Sequence, residues 1–312
     1  MRSALYDELD LKLLHALQID GRAPFNRIAE VLDVSDRTIA RRYARLRATN
    51  RVKVTCRTDS QRVGETLWFV RVRCALPGAR EIGDALARRA DTSWVKVISG
   101  GTEIVATVRA PHDGGEPLLL DRLPRTPQVL EVSANSLLHI FQGESQSFLD
   151  ALTAEQVDQL RPEAGPERHM DLSEDDLRLI GLLRRDGRTD LAALAAATGH
   201  STATLRRRLT ELRSSGVLYF YVRLDFRDLG MTSQTMLWLS VAPDHMVAVG
   251  EALAQHPEVV FAAATTGSTN IYAVVMVPDS SSLFGYLSGR VPALPAIHRI
   301  ETAPVLENLK IL

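Results

Sequence analysis

Cysteine is nearly absent: Cys56 and Cys74 are the only two in 312 residues. They cannot make a disulfide framework and fit no zinc-ligand spacing, so a reducing compartment and no bound metal are expected. Long apolar runs are missing too. Nothing approaches the roughly 20 residues that a membrane-spanning helix needs. Asp7, Glu8 and Asp10 fall where a signal peptide would have its apolar core. A cytoplasmic protein without a membrane partner is therefore expected. Excess charge is lacking as well: the net charge is -1, so no global positive field announces nucleic acid. The histidines His139, His256 and His298 are scattered, and no set of titratable groups is spaced for acid–base chemistry. Neither an enzyme nor a cofactor is expected from the residues. Trp68, Trp94 and Trp238 read as core or interface residues.

What the chain does have is a second copy of itself. Leu9-Asp10-Leu11-Lys12-Leu13-Leu14, followed by Asp20-Gly21-Arg22, returns as Asp176-Leu177-Arg178-Leu179-Ile180, followed by Asp186-Gly187-Arg188, at a constant offset of 166 residues. The register holds through Ala29/Ala195, Ser35/Ser201, Thr38/Thr204, Arg42/Arg208 and Arg47/Arg213. Solenoid repeats run to about 50 residues, so this period marks a duplicated pair of domains.

Each copy opens with three helical patterns. Leu9, Leu13, Leu14 and Leu17 share one helical face, and Gly21 is placed to end that helix in the left-handed conformation. Pro24 suits a first turn, and Phe25, Ile28, Ala29 and Leu32 follow it. Ser35 is a good N-cap for a third helix with Ile39, Tyr43 and Leu46 as its buried stripe. Ser201 and Leu205, Leu209 and Leu212 repeat that arrangement. Three short helices with a tight turn before the third suit a helix-turn-helix. Strands over 52–57 and 217–224 lead out of it.

Period-two runs predict strands over 67–74, 94–99, 103–109 and 129–141, with helices over 79–89 and 117–123. The second copy gives strands over 234–242, 259–266, 270–277 and 296–302, with helices over 245–256 and 281–290. The order βαββαβ predicts a ferredoxin-like sandwich, with Gly100-Gly101 and Gly267-Ser268 turning the central hairpins. The fold class is thus α+β, two winged or helix-turn-helix domains and two ferredoxin-like domains in tandem. The boundaries expected are 1–58, 59–143, a linker over 144–170, 171–225 and 226–312. Thr153 and Gln156 resemble a capping box within that linker.

Leu-Asp, the leucine stripe, Asp-Gly-Arg and Ser-x-x-Thr-x-x-x-Arg, followed by a βαββαβ module, together resemble the Lrp/AsnC family of feast/famine regulators. The resemblance covers nearly the whole chain, twice. It implies a DNA-binding helix-turn-helix joined to a ligand-sensing domain that pairs through its sheet, with amino-acid effectors at sensor interfaces. Most members have one copy per chain, so this one looks like a covalent pseudo-dimer, able to associate further. The family's hairpin usually reads Gly-x-x-Asp. Here it is Gly100-Gly101-Thr102-Glu103 and Gly267-Ser268-Thr269-Asn270. Gly100, Thr102, Glu103, Gly267, Thr269 and Asn270 are the effector-site candidates.

Local charge supports the DNA reading. Residues 1–57 carry 12 basic and 7 acidic side chains, nearly all the basic ones arginine, which contacts phosphate and guanine bidentately. The expected DNA-contacting residues are Arg37, Thr38, Arg41, Arg42 and Arg45 in the first copy. Their counterparts are Thr202, Thr204, Arg206, Arg207 and Arg208 in the second. Arg42 and Arg208 could equally brace the module internally. The two faces differ, which predicts two non-identical half-sites on double-stranded DNA. A competing expectation comes from the siroheme decarboxylases, which share this plan, although the stretches 94–98 and 261–265 carry no histidine. A third is a ligand-binding assembly protein with one helix-turn-helix inactive.

Overall fold

The computed structural model describes residues 5–49, 51–76, 78–111, 123, 126–142, 149–162, 165–166 and 168–311. They form two compact units. One gathers Met1–Gly64 with Glu144–Gly230, and the other Glu65–Gly143 with Met231–Leu312. Each unit therefore contains one half from each repeat.

The first unit holds both helical modules. Helix α1 (Glu8–Ile19) starts at Asp7, whose carboxylate accepts from the Asp10 amide while Asp10 reciprocates. Such a capping box satisfies backbone donors that the first turn leaves free. Helices α2 (Phe25–Val31) and α3 (Asp36–Ala48) follow. The second module repeats them as α6 (Glu174–Arg185), α7 (Leu191–Thr198) and α8 (Thr202–Ser214), with Ser173 and Asp176 forming the box. Leu13, Leu14, Leu17, Ile28 and Ile39 are fully buried, and they belong to the same cluster as Leu183, Leu194 and Leu212. The modules thus share one core, each buried leucine contributing about 1.5–3 kcal/mol.

Strands β1 (Val52–Thr58) and β6 (Leu218–Leu224) pair antiparallel with each other. Thr55 lies opposite Tyr221, its own counterpart at the repeat offset, so a pseudo-two-fold axis passes through this pair. The left-handed glycine expected at the end of the first helix is not found. Asp20 and Asp186 cap in extended conformations, and neither Gly21 nor Gly187 has positive φ. Proximity explains these glycines instead. A Cβ on Gly21 would stand 3.0 Å from Val54 Cγ1 and 3.1 Å from Phe220 Cβ, and one on Gly187 would stand 2.9 Å from Val54. The turns press directly on the β1–β6 ribbon.

The stretch between the repeats adds α5 (Ala154–Leu160), with the expected Thr153–Gln156 capping box. Leu149, Leu152 and Leu160 enter the shared core. His15 on α1 is buried, and its Nδ1 accepts from the amides of Ala151 and Leu152, both at 3.1 Å.

The second unit holds both sheets. In the first repeat β2 (Glu65–Cys74), β3 (Thr92–Ile98), β4 (Glu103–Pro111) and β5 (Val129–Gln142) lie in the order β3-β4-β2-β5. In the second, β7 (Ser233–Val241), β8 (Val259–Thr265), β9 (Ile271–Val277) and β10 (Ile297–Lys310) lie in the order β8-β9-β7-β10. Both are ferredoxin-like, with α4 (Ala79–Ala87) and α9 (Met246–Ala254) as first crossovers. Two separate sandwiches are not what forms, however. The far half of β5 pairs with β8, and the far half of β10 with β3, closing an eight-stranded barrel. That exchange carries β10 to Lys310, well beyond the expected strand over 296–302. The helix expected over 117–123 falls outside the described residues except for Leu123. The helix expected over 281–290 is α10 (Ser280–Gly285) followed by a π turn, Tyr286–Arg290.

Candidate nucleic-acid interface and ligand cavity

Helices α3 and α8 start alike. Ser35 Oγ accepts from the Thr38 amide at 3.2 Å and lies 2.9 Å from the Thr38 hydroxyl; Ser201 and Thr204 repeat this at 3.1 and 2.9 Å. Thr38 and Thr204 are therefore part of the caps. Ile39, Tyr43 and Leu46 on α3, and Leu205, Leu209 and Leu212 on α8, seat the helices in the core. Their opposite faces are exposed.

The arginines on those faces divide into two groups. Arg37 and Arg41, and Arg206 and Arg207, are exposed, and their guanidinium groups have no hydrogen-bond or ion-pair partner among the described residues. Thr202 is exposed beside them. Arg42, Arg45 and Arg208 are committed elsewhere. Arg42 Nη1 donates to Asp7 at 2.6 Å and to Asp10 at 2.8 Å, and Arg45 also pairs with buried Asp10. Arg208 donates from Nε and Nη2 to Asp176, both at 2.7 Å, and from Nη1 to Glu211 at 2.9 Å. The equivalent pairs Arg42–Asp10 and Arg208–Asp176 brace the third helix of each module against its first. The hydrogen bond from Arg42 holds the Asp7 carboxyl below the usual range. At Asp176 burial pushes upward, but hydrogen bonds from Arg208 and Ser173 outweigh it.

The central hairpins of the two repeats differ in chemistry. Gly100 and Gly101 have φ of 69° and 89°, a region that glycine adopts without strain, and the Thr102 hydroxyl donates to Ser99 O at 2.8 Å. Glu103 is buried and accepts from Arg71 Nε at 2.7 Å. In the second repeat Asn270 accepts from the Val241 amide at 2.9 Å and donates to its carbonyl at 2.8 Å, fastening the end of β7. Gly267 has φ of 106°, and the Thr269 carbonyl accepts from the Thr265 hydroxyl at 3.1 Å. A carboxylate in one copy faces charge; an amide in the other replaces a backbone rung.

Of these six candidates, Glu103 alone lines a cavity of about 350 Å³, whose other walls are Arg71, Arg73, Glu131, Ser133, Arg299 and Glu301. Arg71 bridges Glu103 and Glu301 at 2.7 and 2.5 Å, and Arg73 pairs with Glu131 at 2.8 Å. The hydrogen bond from Arg71 holds the Glu301 carboxyl down. Arg299 is exposed and has no hydrogen-bond or ion-pair partner among the described residues. Arg71 lies opposite Val105, two residues after Glu103, and Trp238 lies opposite Tyr272, two residues after Asn270, so Trp238 takes the place of Arg71 in the second repeat. The Arg71 guanidinium sits 4.3 Å over the Trp238 ring. Sequence reasoning missed the six other lining residues. Polar and charged residues two apart on a strand (71 and 73, 131 and 133, 299 and 301) hint at a shared face, but the pairing that gathers them spans the whole chain.

Among the described residues no group of histidine, cysteine, aspartate and glutamate is arranged to hold a metal ion. No helix among the described residues is long and apolar enough to cross a membrane. Both cysteines are buried, and burial pushes the Cys56 thiol up to about 12.

Residues 7–47 match the AsnC-type helix-turn-helix domain, and residues 234–311 the Lrp/AsnC ligand binding domain. Residues 172–219 match a winged helix-turn-helix DNA-binding domain. The chain belongs to the Lrp/AsnC family. The HTH-type transcriptional regulator FL11 of Pyrococcus horikoshii is 28% identical over 140 residues, which are 45% of this chain and 92% of that protein. The regulatory protein AsnC of Haemophilus influenzae is 29% identical over 143 residues, 43% of this chain and 95% of its own. One such relative therefore corresponds to about half of this Lrp/AsnC chain, as the tandem repeat requires. The siroheme decarboxylase NirDL superposes with a TM-score of 0.68 at 16% identity, covering 98% of this chain and 93% of NirDL. That likeness shows a shared fold.

Proposed function

We propose that this chain is a sequence-specific DNA-binding transcriptional regulator, with both helical modules engaging one duplex. The observation that carries the reading is the pair of unpartnered arginines on each capped third helix, Arg37 and Arg41 on α3, and Arg206 and Arg207 on α8. A reading helix needs a buried stripe to seat it and an exposed face for bases and phosphates. Thr202 joins this face, while Arg42, Arg45 and Arg208 keep it in place. A mobility shift on the DNA flanking the protein's own gene, over a salt series, tests the reading. Affinity is expected to fall linearly on logarithmic axes, with a slope of about -0.9 for each phosphate contacted. No shift at low salt on that DNA or on randomised duplexes overturns it.

The reading extends to a small amino-acid-like effector in the barrel cavity, and to further association of chains, which light scattering tests. The cavity presents guanidinium and carboxylate groups side by side, complementary to a molecule with both an anionic and a cationic group. Exposed Arg299 is its available cation. Calorimetry with the individual L-amino acids is expected to find at least one that binds, and Arg299→Ala to weaken it about 10-fold, the value of one charge-assisted hydrogen bond. Absence of heat with all of them rejects the effector while leaving DNA binding intact.

The whole-chain likeness to NirDL motivates one alternative, an enzyme acting on a tetrapyrrole. The cavity balances three arginines with three glutamates, a poor match for a ligand rich in carboxylates. Turnover of siroheme by the purified protein would favour that alternative over the non-enzymatic reading.

A further inference from the structure

We infer that Asp20, Arg22, Asp186 and Arg188 are positioning residues that fix the separation of the two reading helices, and so the spacing of half-sites the protein accepts; this rests on the DNA-binding reading above. The repeated Asp-Gly-Arg motif serves the other module as well as its own turn, where Asp20 and Asp186 accept from the Arg22 and Arg188 amides. Arg22 Nη1 reaches across to donate to the carbonyls of Gly187 and Thr189, at 2.7 and 3.1 Å. Arg188 returns the contact, Nη1 to Gly21 O at 2.8 Å and Nη2 to Ala23 O at 3.0 Å. These carbonyls belong to the turns that lead into α2 and α7.

The aspartates reach the reading helices themselves. Asp20 accepts from Arg213 at 2.9 Å, and Asp186 from Arg47 at 2.7 Å. Arg213 lies in the last turn of α8, and Arg47 in the last turn of α3. Each motif thus holds the far end of the other module's reading helix and, through its arginine, the other module's turn. Gly21 and Gly187 permit the close approach to the ribbon on which this depends. Aromatic rings complete the clasp, with Arg188 4.1 Å over Phe25 and Arg22 5.4 Å over Phe220. Because the arginines donate to backbone carbonyls, they fix main-chain positions, and their partial burial limits screening by salt.

The duplex sets the required tolerance. Adding one base pair between half-sites moves the second by about 3.4 Å along the axis and turns it by about 35°. Modules joined through one core, a paired ribbon and four reciprocal side chains cannot follow such a step without breaking the clasp. A single spacing is therefore accepted.

The test is selection from a library of random duplexes, with the distance between enriched half-sites as the readout. Wild-type protein is expected to enrich two non-identical half-sites at one spacing. Arg22→Met with Arg188→Met, which keeps the bulk and removes the forks, should enrich the same bases but accept at least one neighbouring spacing, with about 10-fold weaker binding at the original. Arg22→Lys with Arg188→Lys, which keeps the charge without the fork, serves if the methionine pair does not fold, and should broaden the spacing less. An unchanged spacing distribution in a folded variant overturns the inference, as does a wild type that already tolerates several spacings. No enrichment by the wild type overturns the DNA-binding reading itself, and the inference with it.

Discussion

Replacing Arg37, Arg41, Arg206 and Arg207 together by alanine is expected to remove specific binding while leaving the protein folded. Each guanidinium is exposed and lacks a partner among the described residues, so stability should change by less than about 0.5 kcal/mol per site. Each lost phosphate contact should flatten the salt dependence by about one unit, and each lost base contact should cost about 1–3 kcal/mol. Across four such contacts, a weakening of about 10³-fold or more at moderate salt follows. The control is Arg42→Ala or Arg208→Ala. Removing either leaves a buried aspartate, Asp10 or Asp176, short of a counter-charge. Those variants should lose stability first and binding only in consequence. A mobility shift with salt titration, run beside thermal unfolding, separates the two. If the fourfold variant kept the wild-type slope, the exposed faces of α3 and α8 would not be meeting phosphate.

That division between free and committed arginines was only half legible in the sequence. The leucine stripes, the serine caps and the repeat itself could be read directly, because each depends on residues within one or two helical turns. The Thr153–Gln156 box was legible for the same reason. Arg42 and Arg208 had two readings from sequence, because their partners, Asp10 and Asp176, lie on another helix some 32 positions away. Gly21 reads locally as a left-handed cap, but its constraint is the β1–β6 ribbon, one strand of which, Leu218–Leu224, comes from the other repeat. The closed barrel was hidden in the same way. Nothing local in β10 says that its second half will find β3 of the first repeat, so the strand looked shorter than it is. The cavity depends on that closure, since Glu301 on β10 meets Arg71 on β2 only once β10 has paired with β3 and β5 with β8. The hairpin motif directs attention to Glu103, which lines the cavity. It could not show that Asn270 is occupied by the Val241 backbone.

His15 offers the second large effect, and it concerns the segment that joins the repeats. Its Nδ1 is the acceptor for two backbone amides, Ala151 and Leu152, so the ring must be unprotonated at that nitrogen. Burial lowers its pKa from 6.5 to about 4. The unfolded chain therefore takes up the proton first as pH falls. Stability is complete above about pH 6.5, is drawn down between there and about pH 4, and is level below, the total loss being about 3 kcal/mol. His15→Leu has similar bulk and no acceptor. It should destabilise the first unit at neutral pH by about 2–4 kcal/mol, because two inward-facing amides lose their partner. It should also abolish this part of the pH dependence, so that the two proteins converge as the pH approaches 4. Amide exchange along α1 and α5 reports on this unit directly, whereas Trp68, Trp94 and Trp238 all lie in the other. Parallel loss of protection in both proteins from pH 6.5 to 4 would mean that the titrating group lies elsewhere. Convergence would instead identify a single imidazole as the latch that seats α5 on the first helical module.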